Sequence, residues 1–90
     1  MAISVMFDFQ GLTKAKYEEL IQKLVASGAA PVGRMFHIAS EKQGGLLVLD
    51  VWESPEKLQA FGGLLGPIAQ SLGIAVPEPQ VMNTVAAVAG

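Results

Sequence analysis

The sequence predicts a small α+β fold in which strands and helices follow one another in the order β-α-β-β-α-β. Two observations predict it. Short runs rich in valine, isoleucine, leucine and phenylalanine are typical of strands, and two longer stretches space their apolar residues like one face of a helix. Since 90 residues are enough for one domain and not for two, we expect residues 1–90 to form a single domain.

The first strand and the first helix have clear boundaries. The run Ala2–Gln10 alternates between two sets of side chains and ends at Gly11, which favours a strand. Thr13 can cap the helix that follows, because its hydroxyl can accept a backbone N–H of the first turn, and Gly28 favours a left-handed stop. The apolar stripe of this helix comprises Tyr17, Leu20, Ile21, Leu24 and Val25.

The next two strands form a predicted hairpin. Arg34–Ser40 and Leu46–Glu53 are extended apolar runs, and the segment Glu41–Gly45 between them contains two glycines that can adopt positive φ. The sequence leaves the length of the tight turn open, and that length decides which residues face one another across the hairpin.

A second helix and a last strand complete the order. The Ser54-Pro55 pair is a strong helix start, Gly73 ends the helix, and Pro67, which lacks an N–H, predicts a kink or a split near Leu65. Its apolar stripe comprises Leu58, Phe61, Leu65, Ile68 and Leu72. With Gln80–Val88 as the fourth strand, two right-handed crossovers give one antiparallel sheet with both helices on the same face, a ferredoxin-like fold.

The third strand is apolar on both of its sides, which predicts that both faces of the sheet are covered. Leu47, Leu49 and Val51 point one way, and Leu46, Val48, Asp50 and Trp52 point the other. We expect Trp52 on the face away from the helices, together with Met6, Met35, His37 and Ala39. A second copy of the chain, packed sheet to sheet as a homodimer, would shield this face. The alternative is that the bent second helix or the C-terminal tail covers it in a monomer.

Composition and charge exclude several classes of function. The net charge is −2 and the six basic residues are scattered, so we expect no nucleic-acid partner. The absence of cysteine excludes disulfides and thiolate ligands, and the single histidine leaves no metal triad. The sequence offers no phosphate loop and therefore predicts no nucleotide cofactor. It also lacks a basic leader and a long apolar run, so we expect a cytoplasmic protein without a membrane span.

The passage from the third strand into the second helix resembles a known superfamily. The segment Val51-Trp52-Glu53-Ser54-Pro55-Glu56, the hairpin before it and the order of elements are similar to the dimeric α+β barrel proteins, and most similar to antibiotic-biosynthesis-monooxygenase-like domains. The resemblance implies a homodimer whose two sheets form a barrel, with a pocket between sheet and helices in each subunit. Some relatives oxidise polyketide quinols without metal or flavin, and others degrade haem.

The residues do not support haem degradation. Haem-degrading relatives use a tryptophan at this strand end, an asparagine on the first strand and a histidine in the second helix. Trp52 matches the first, but the first strand offers only Asp8, and no histidine occurs between Ser54 and Leu72. The resemblance therefore implies a fold and a pocket here, without haem or another cofactor.

His37 and Asp50 are the candidate catalytic residues. A hairpin turn of two or four residues places them opposite each other, where the carboxylate would orient the imidazole as an acid–base pair. A three-residue turn with a glycine bulge instead places Asp50 opposite Phe36. His37 could equally be a structural residue at an interface. Asp50 could also pair with Arg34 across a dimer, or lie near water at a strand end.

The predicted pocket leads to two hypotheses of function. Its other candidate lining residues are Met6, Asp8, Tyr17, Met35 and Trp52, each of which could also serve only in packing or on the surface. The first hypothesis is a cofactor-independent monooxygenase-like or isomerase-like enzyme that acts on a small aromatic or polyketide-like substrate. The second is a non-catalytic dimeric module that binds a small hydrophobic ligand or a protein.

Overall fold

Four strands and two helices occur in the order that the sequence predicts. The computed structural model describes residues 1–90 and comprises β1 (Ile3–Gln10), α1 (Lys14–Ala26), β2 (Arg34–Lys42), β3 (Gly45–Trp52), α2 (Pro55–Ser71) and β4 (Gln80–Asn83). The strands form one antiparallel sheet in the order β2-β3-β1-β4. The predicted ferredoxin-like α+β fold is therefore confirmed.

The helix boundaries follow from the predicted caps. The Thr13 hydroxyl accepts the backbone N–H of Lys16 at 3.1 Å, which provides a partner for one free donor of the first turn of α1. Ser54 caps α2 in the same way, with Pro55 at the first helical position. Gly28 takes φ +77° directly after α1, where a residue with a side chain would be strained.

The hairpin closes with the two-residue turn Gln43-Gly44, so β2 runs two residues further than predicted. Lys42 pairs with Gly45, and Gly44 takes φ +81°. Gly45 is required for a second reason, since a Cβ there would lie 2.0 Å from the carbonyl oxygen of Phe9 on β1. This turn length places His37 opposite Asp50.

α2 continues through Pro67, and the predicted split is absent. One helix runs from Pro55 to Ser71 with Pro67 inside it. The missing N–H leaves the carbonyl of Gly63, four residues earlier, without its helical partner. Both residues are exposed, so water can take that place and the helix loses one hydrogen bond without ending.

β4 ends at Asn83, five residues before the predicted end at Val88. Asn83 pairs with Ile3, the first residue of β1, and one further hydrogen bond joins the Thr84 N–H to the Ala2 carbonyl. β1 then offers no further partner. The alanine-rich residues that follow therefore have no strand to pair with.

The hydrophobic core lies between the sheet and the helices. Its twelve residues are Ile3, Val5, Phe7, Phe9, Leu12, Leu20, Leu24, Leu46, Val48, Trp52, Phe61 and Ala69. Val25, predicted on the stripe of α1, is instead 74% exposed. It is about 100° round the helix from Leu24, at the margin of the stripe and in the last turn.

The sheet carries Trp52 and His37 on the face that the helices cover, and the prediction that they lie on the opposite face was wrong. Trp52 is fully buried opposite Ile3, and His37 pairs with Asp50, which pairs in turn with Val5. Alternation tells which residues share a face. Alternation does not tell which face the helices cover. That face is set by the right-handed crossovers, which place both helices on the side to which Ile3, Val5, Phe7 and Phe9 of β1 point.

The other face of the sheet, called the open face below, is formed by Phe36, Ile38, Leu49, Val51 and Met82. Residues 86–88 of the tail lie beside it and leave a groove of about 340 Å3. The tail does not cover the face, because Ile38 and Leu49 remain 55% and 42% exposed. Neither α1 nor α2 is both long and apolar enough to span a bilayer.

Candidate functional site

A chain of hydrogen bonds links four side chains between the sheet and α1. The hydroxyl of Tyr17 lies 2.5 Å from Nε2 of His37, and Nδ1 of His37 lies 2.6 Å from Oδ1 of Asp50. The indole N–H of Trp52 donates to Oδ2 of Asp50 at 3.2 Å. The register of β2 and β3 brings His37 and Asp50 together, and the stripe of α1 directs Tyr17 towards the sheet.

The partners of Asp50 determine where the protons lie. An ionised carboxylate only accepts hydrogen bonds, so Nδ1 of His37 carries the hydrogen that points at Asp50. A neutral imidazole then has a free lone pair on Nε2, which accepts the Tyr17 hydroxyl. The phenol hydrogen therefore points at His37, and the phenol oxygen keeps its lone pairs for a further donor.

Because Asp50 is buried, its carboxylate needs both of its hydrogen-bond donors. The side chains of Asp50 and His37 are 7% and 21% exposed, and Trp52 is fully buried. No buried side-chain nitrogen or oxygen in the chain lacks a hydrogen-bond partner. A carboxylate in such an apolar place is tolerated because both of its oxygens accept hydrogen bonds, and loss of either donor would leave it under-paired.

Two cavities meet at Asp50. The inner cavity, of about 50 Å3, lies beside Tyr17 and His37 and also borders Arg34. The outer cavity, of about 170 Å3, lies beside Trp52 under α2. Both have mostly apolar walls, and four residues line both of them: Phe7, Asp50, Phe61 and Leu65. The polar chain thus ends in an apolar space, the usual character of a small-molecule site.

The structure brings together four of the predicted site residues and separates the other three. Tyr17, His37, Asp50 and Trp52 form the hydrogen-bonded chain. Asp8 is exposed and pairs with Lys42 at 2.7 Å, Met35 is half exposed at a bulge in β2, and Met6 lies opposite Leu49 on the other side of the sheet. Period-two alternation separates Met6 and Asp8 from the face that contacts the helices.

Phe61 and Arg34 are among the cavity-lining residues that sequence reasoning missed. Phe61 was assigned only to the stripe of α2, and Arg34 only to an ion pair. The Arg34 guanidinium lies 6.0 Å from the centre of the Phe61 ring, and that ring lies 5.4 Å from the ring of Trp52. The stripe of α2 signalled that Phe61 would contact the sheet, whereas nothing in the sequence signalled its place between two cavities.

The chain contains no group of three or more histidine, cysteine, aspartate or glutamate side chains close enough to hold a metal ion. Asp50 has His37 and Trp52 as partners within its own chain. Tyr17, His37 and Asp50 form a hydrogen-bonded path along which a proton can move.

The raised pKa of Tyr17 predicts that the free energy of unfolding falls at alkaline pH. Burial raises the pKa of its hydroxyl above the usual 10.0, with a lowering effect of Arg34 and a raising effect of Asp50. As pH rises past 10.0, the unfolded chain loses this proton first, so the free energy of unfolding falls until the folded pKa is passed. We expect Tyr17→Phe to lack this component, as measured by urea unfolding at several pH values between neutral and strongly alkaline.

Direct titration provides the control for that prediction. Tyr17 is the only tyrosine, so the ultraviolet absorbance of tyrosinate reports on it alone. Lysines titrate in the same range in both proteins and cancel in the comparison. A Tyr17→Phe protein whose stability falls as steeply as the wild type would contradict the prediction.

Comparison with known proteins identifies the fold. No protein-family model matches the chain, and no curated protein matches it in sequence. Among solved structures, a candidate antibiotic biosynthesis monooxygenase from Chloroflexus aurantiacus superposes with a TM-score of 0.69 at 16% identity, covering 99% of this chain and 98% of that one. Rv0793 from Mycobacterium tuberculosis gives a TM-score of 0.69 at 15% identity, with 99% and 100% covered.

A third match has a described activity. SnoaB, a cofactor-independent oxygenase from Streptomyces nogalater, superposes with a TM-score of 0.62 at 16% identity, covering 97% of this chain and 94% of that one. At such identities the likeness extends to the fold alone. The chain therefore shares its ferredoxin-like α+β fold with these three structures.

Proposed function

We propose that the chain is an enzyme that removes a proton from a small aromatic or polyketide-like substrate without a cofactor. The observation that carries this proposal is the hydrogen-bonded chain from Tyr17 through His37 to Asp50, which ends at an apolar cavity. His37 is the base, Asp50 orients its ring, and Tyr17 relays the proton. A buried base beside a binding space is the minimum that general-base catalysis requires.

The proton passes along existing hydrogen bonds. A substrate hydroxyl that approaches the Tyr17 oxygen gives its proton to that oxygen, while the phenol proton moves to Nε2 of His37, which lies 2.5 Å from the phenol oxygen. The imidazolium that results is stabilised by Asp50 through the bond at Nδ1. Tyr17 ends as a neutral phenol, which suits a hydroxyl whose pKa burial raises.

Proton removal serves both reaction types that the proposal includes. A phenolate or enolate is electron-rich at carbon, so it can react directly with dioxygen or take the proton back at carbon instead of oxygen. The first outcome is a cofactor-independent oxygenation and the second is an isomerisation. The likeness of fold to SnoaB, a cofactor-independent oxygenase, supports the first.

The test measures oxygen uptake and deuterium incorporation from heavy water for a panel of phenols, hydroquinones and enolisable ketones. We expect His37→Gln to lower turnover by about 10²–10⁴-fold, the usual range for a general base. Lys23→Ala, on the exposed side of α1, is the control and keeps full activity. Wild-type turnover by His37→Gln would refute the proposal. Binding without any turnover would support the non-catalytic module instead.

We further propose that two copies of the chain associate through their open faces. Phe36, Ile38, Leu49 and Met82 expose 37% to 55% of their surface side by side on this face, and the sheet has no cover there. A contiguous apolar patch of this kind is a frequent mark of an interface between subunits.

Ile38→Glu tests this association. A buried, unpaired carboxylate in each copy opposes contact between the faces, so we expect light scattering to show a dimer for the wild type and a 9.4 kDa monomer for the variant. Val25→Glu, at an apolar and more exposed position on α1, is expected to stay dimeric. A wild-type monomer at micromolar concentration would contradict the prediction.

A further inference from the structure

Phe61 lies at the boundary between the two cavities that meet at Asp50. Its side chain projects from α2 against Trp52, with the ring centres 5.4 Å apart, and it lines the inner and the outer cavity. Leu65, one turn further along α2, lines both as well. The boundary between the cavities is therefore formed by these two side chains of α2 together with Phe7 and Asp50 of the sheet.

The volumes set what each cavity can hold. A buried apolar cavity of about 150 Å3 is large enough for benzene. The outer cavity, at about 170 Å3, matches one aromatic ring, whereas the inner one, at about 50 Å3, has room for little more than a water molecule or a single substituent. A ring of two fused units fits neither unless the partition opens.

The walls of the outer cavity also determine which kind of ligand it can bind. They consist of aromatic and aliphatic side chains and the two glycines Gly62 and Gly66, and Asp50 is the one charged group among them. Each oxygen of Asp50 already accepts one hydrogen bond, from His37 or Trp52, and a carboxylate oxygen has a second lone pair. A ring with one O–H or N–H donor can therefore bind with that donor at Asp50.

We propose that the outer cavity binds a single planar aromatic ring with a hydrogen-bond donor at Asp50, and that Phe61 sets this size limit. This inference deepens the proposed function, on which it rests for the idea that the bound ring is a substrate. Asp50 also borders the inner cavity, which Tyr17 and His37 line, so a substrate ring would carry the hydroxyl that Tyr17 deprotonates as a second substituent in that cavity.

The test uses phenol, toluene and 2-naphthol as binding probes, followed by titration calorimetry and by the indole N–H signal of Trp52, the only tryptophan. For the wild type we expect phenol to bind about tenfold more tightly than toluene, since only phenol can donate to Asp50, and 2-naphthol to bind more weakly than phenol. Phe61→Ala merges the cavities and is expected to improve 2-naphthol binding at least about tenfold while weakening phenol binding.

Controls keep the result interpretable. Gly63→Ala lies on the same helix, lines neither cavity and has space for its Cβ, so all three affinities should stay within about twofold of the wild type. If Phe61→Ala does not fold, Phe61→Leu, which removes less volume, is expected to shift the preference in the same direction.

Two results would overturn the inference. One is 2-naphthol binding to the wild type as tightly as to Phe61→Ala, and the other is phenol binding that leaves the Trp52 signal unchanged. Failure of the proposed function is distinguishable from both. Phenol binding at Trp52 without turnover of any compound would refute the enzyme and leave the ring site standing, whereas turnover with an unchanged Trp52 signal would do the reverse.

Discussion

Trp52→Ala is expected to lower the free energy of unfolding by about 3–5 kcal/mol, which is the range for removal of a large aromatic side chain from a core. Trp52 is fully buried, packs against Phe61 and pairs with Ile3 across the sheet. Its loss leaves a cavity and also removes the N–H donor of Asp50 Oδ2. Since small domains have about 5–15 kcal/mol in total, this one change would remove much of the stability.

Urea unfolding followed by far-ultraviolet circular dichroism measures this effect, because the variant has no tryptophan fluorescence. Trp52→Phe keeps much of the ring and loses the donor, so we expect a smaller loss of about 1–3 kcal/mol. Val25→Ala, at a 74% exposed position, should change stability by less than about 0.5 kcal/mol. If the free energy of unfolding of Trp52→Ala were within about 1 kcal/mol of the wild-type value, Trp52 could not be a central core residue.

Local sequence signals predicted the elements well because each depends on a few neighbouring residues. Thr13 and Ser54 cap their helices as expected, and Gly28 takes the left-handed conformation that ends α1. The four strands needed only short apolar runs bounded by glycine, proline or charged residues. The order of elements and the hand of the crossovers were then sufficient for the fold.

Features that depend on distant residues could not be predicted in this way. The end of β4 is set by where β1 begins, at Ile3, and not by the residues after Asn83. The face on which Trp52 lies is set by the crossovers, which alternation along β3 does not reveal. Pro67 remains helical because its position is exposed to water, which the α2 stripe alone did not show.

The candidate site also has one part that the sequence could suggest and one part that depends on tertiary packing. The facing of His37 and Asp50 was one of two alternatives that turn length left open, and the two-residue turn Gln43-Gly44 selects it. Tyr17 as the partner of His37 requires α1 to pack at one angle on the sheet, which no local pattern encodes. The side chain nearest to the proposed substrate was therefore the hardest to assign.

Asp50→Asn is expected to reverse the direction of the hydrogen bonds through His37. The Trp52 N–H can only donate, so the amide oxygen of the new side chain must face it and the NH₂ group must face His37. Nδ1 then accepts and Nε2 carries the hydrogen, which makes Nε2 unable to accept from Tyr17. The analogous change in the triad of serine proteases lowers kcat about 10⁴-fold through the wrong tautomer.

Nitrogen-15 NMR of the only histidine measures the tautomer directly and needs no substrate. We expect the wild type to carry hydrogen on Nδ1 and Asp50→Asn to carry it on Nε2, with turnover reduced by about 10²–10⁴-fold. Asp8→Asn is the matched control, since Asp8 lies on the neighbouring strand, is exposed and pairs with Lys42 rather than with His37. Because Asp8→Asn leaves the hydrogen bonds among Tyr17, His37 and Asp50 intact, the tautomer of His37 and the turnover should both stay as in the wild type. An unchanged Nδ1 hydrogen in Asp50→Asn would mean that Asp50 does not orient His37, and the proton relay would lose its fixed direction.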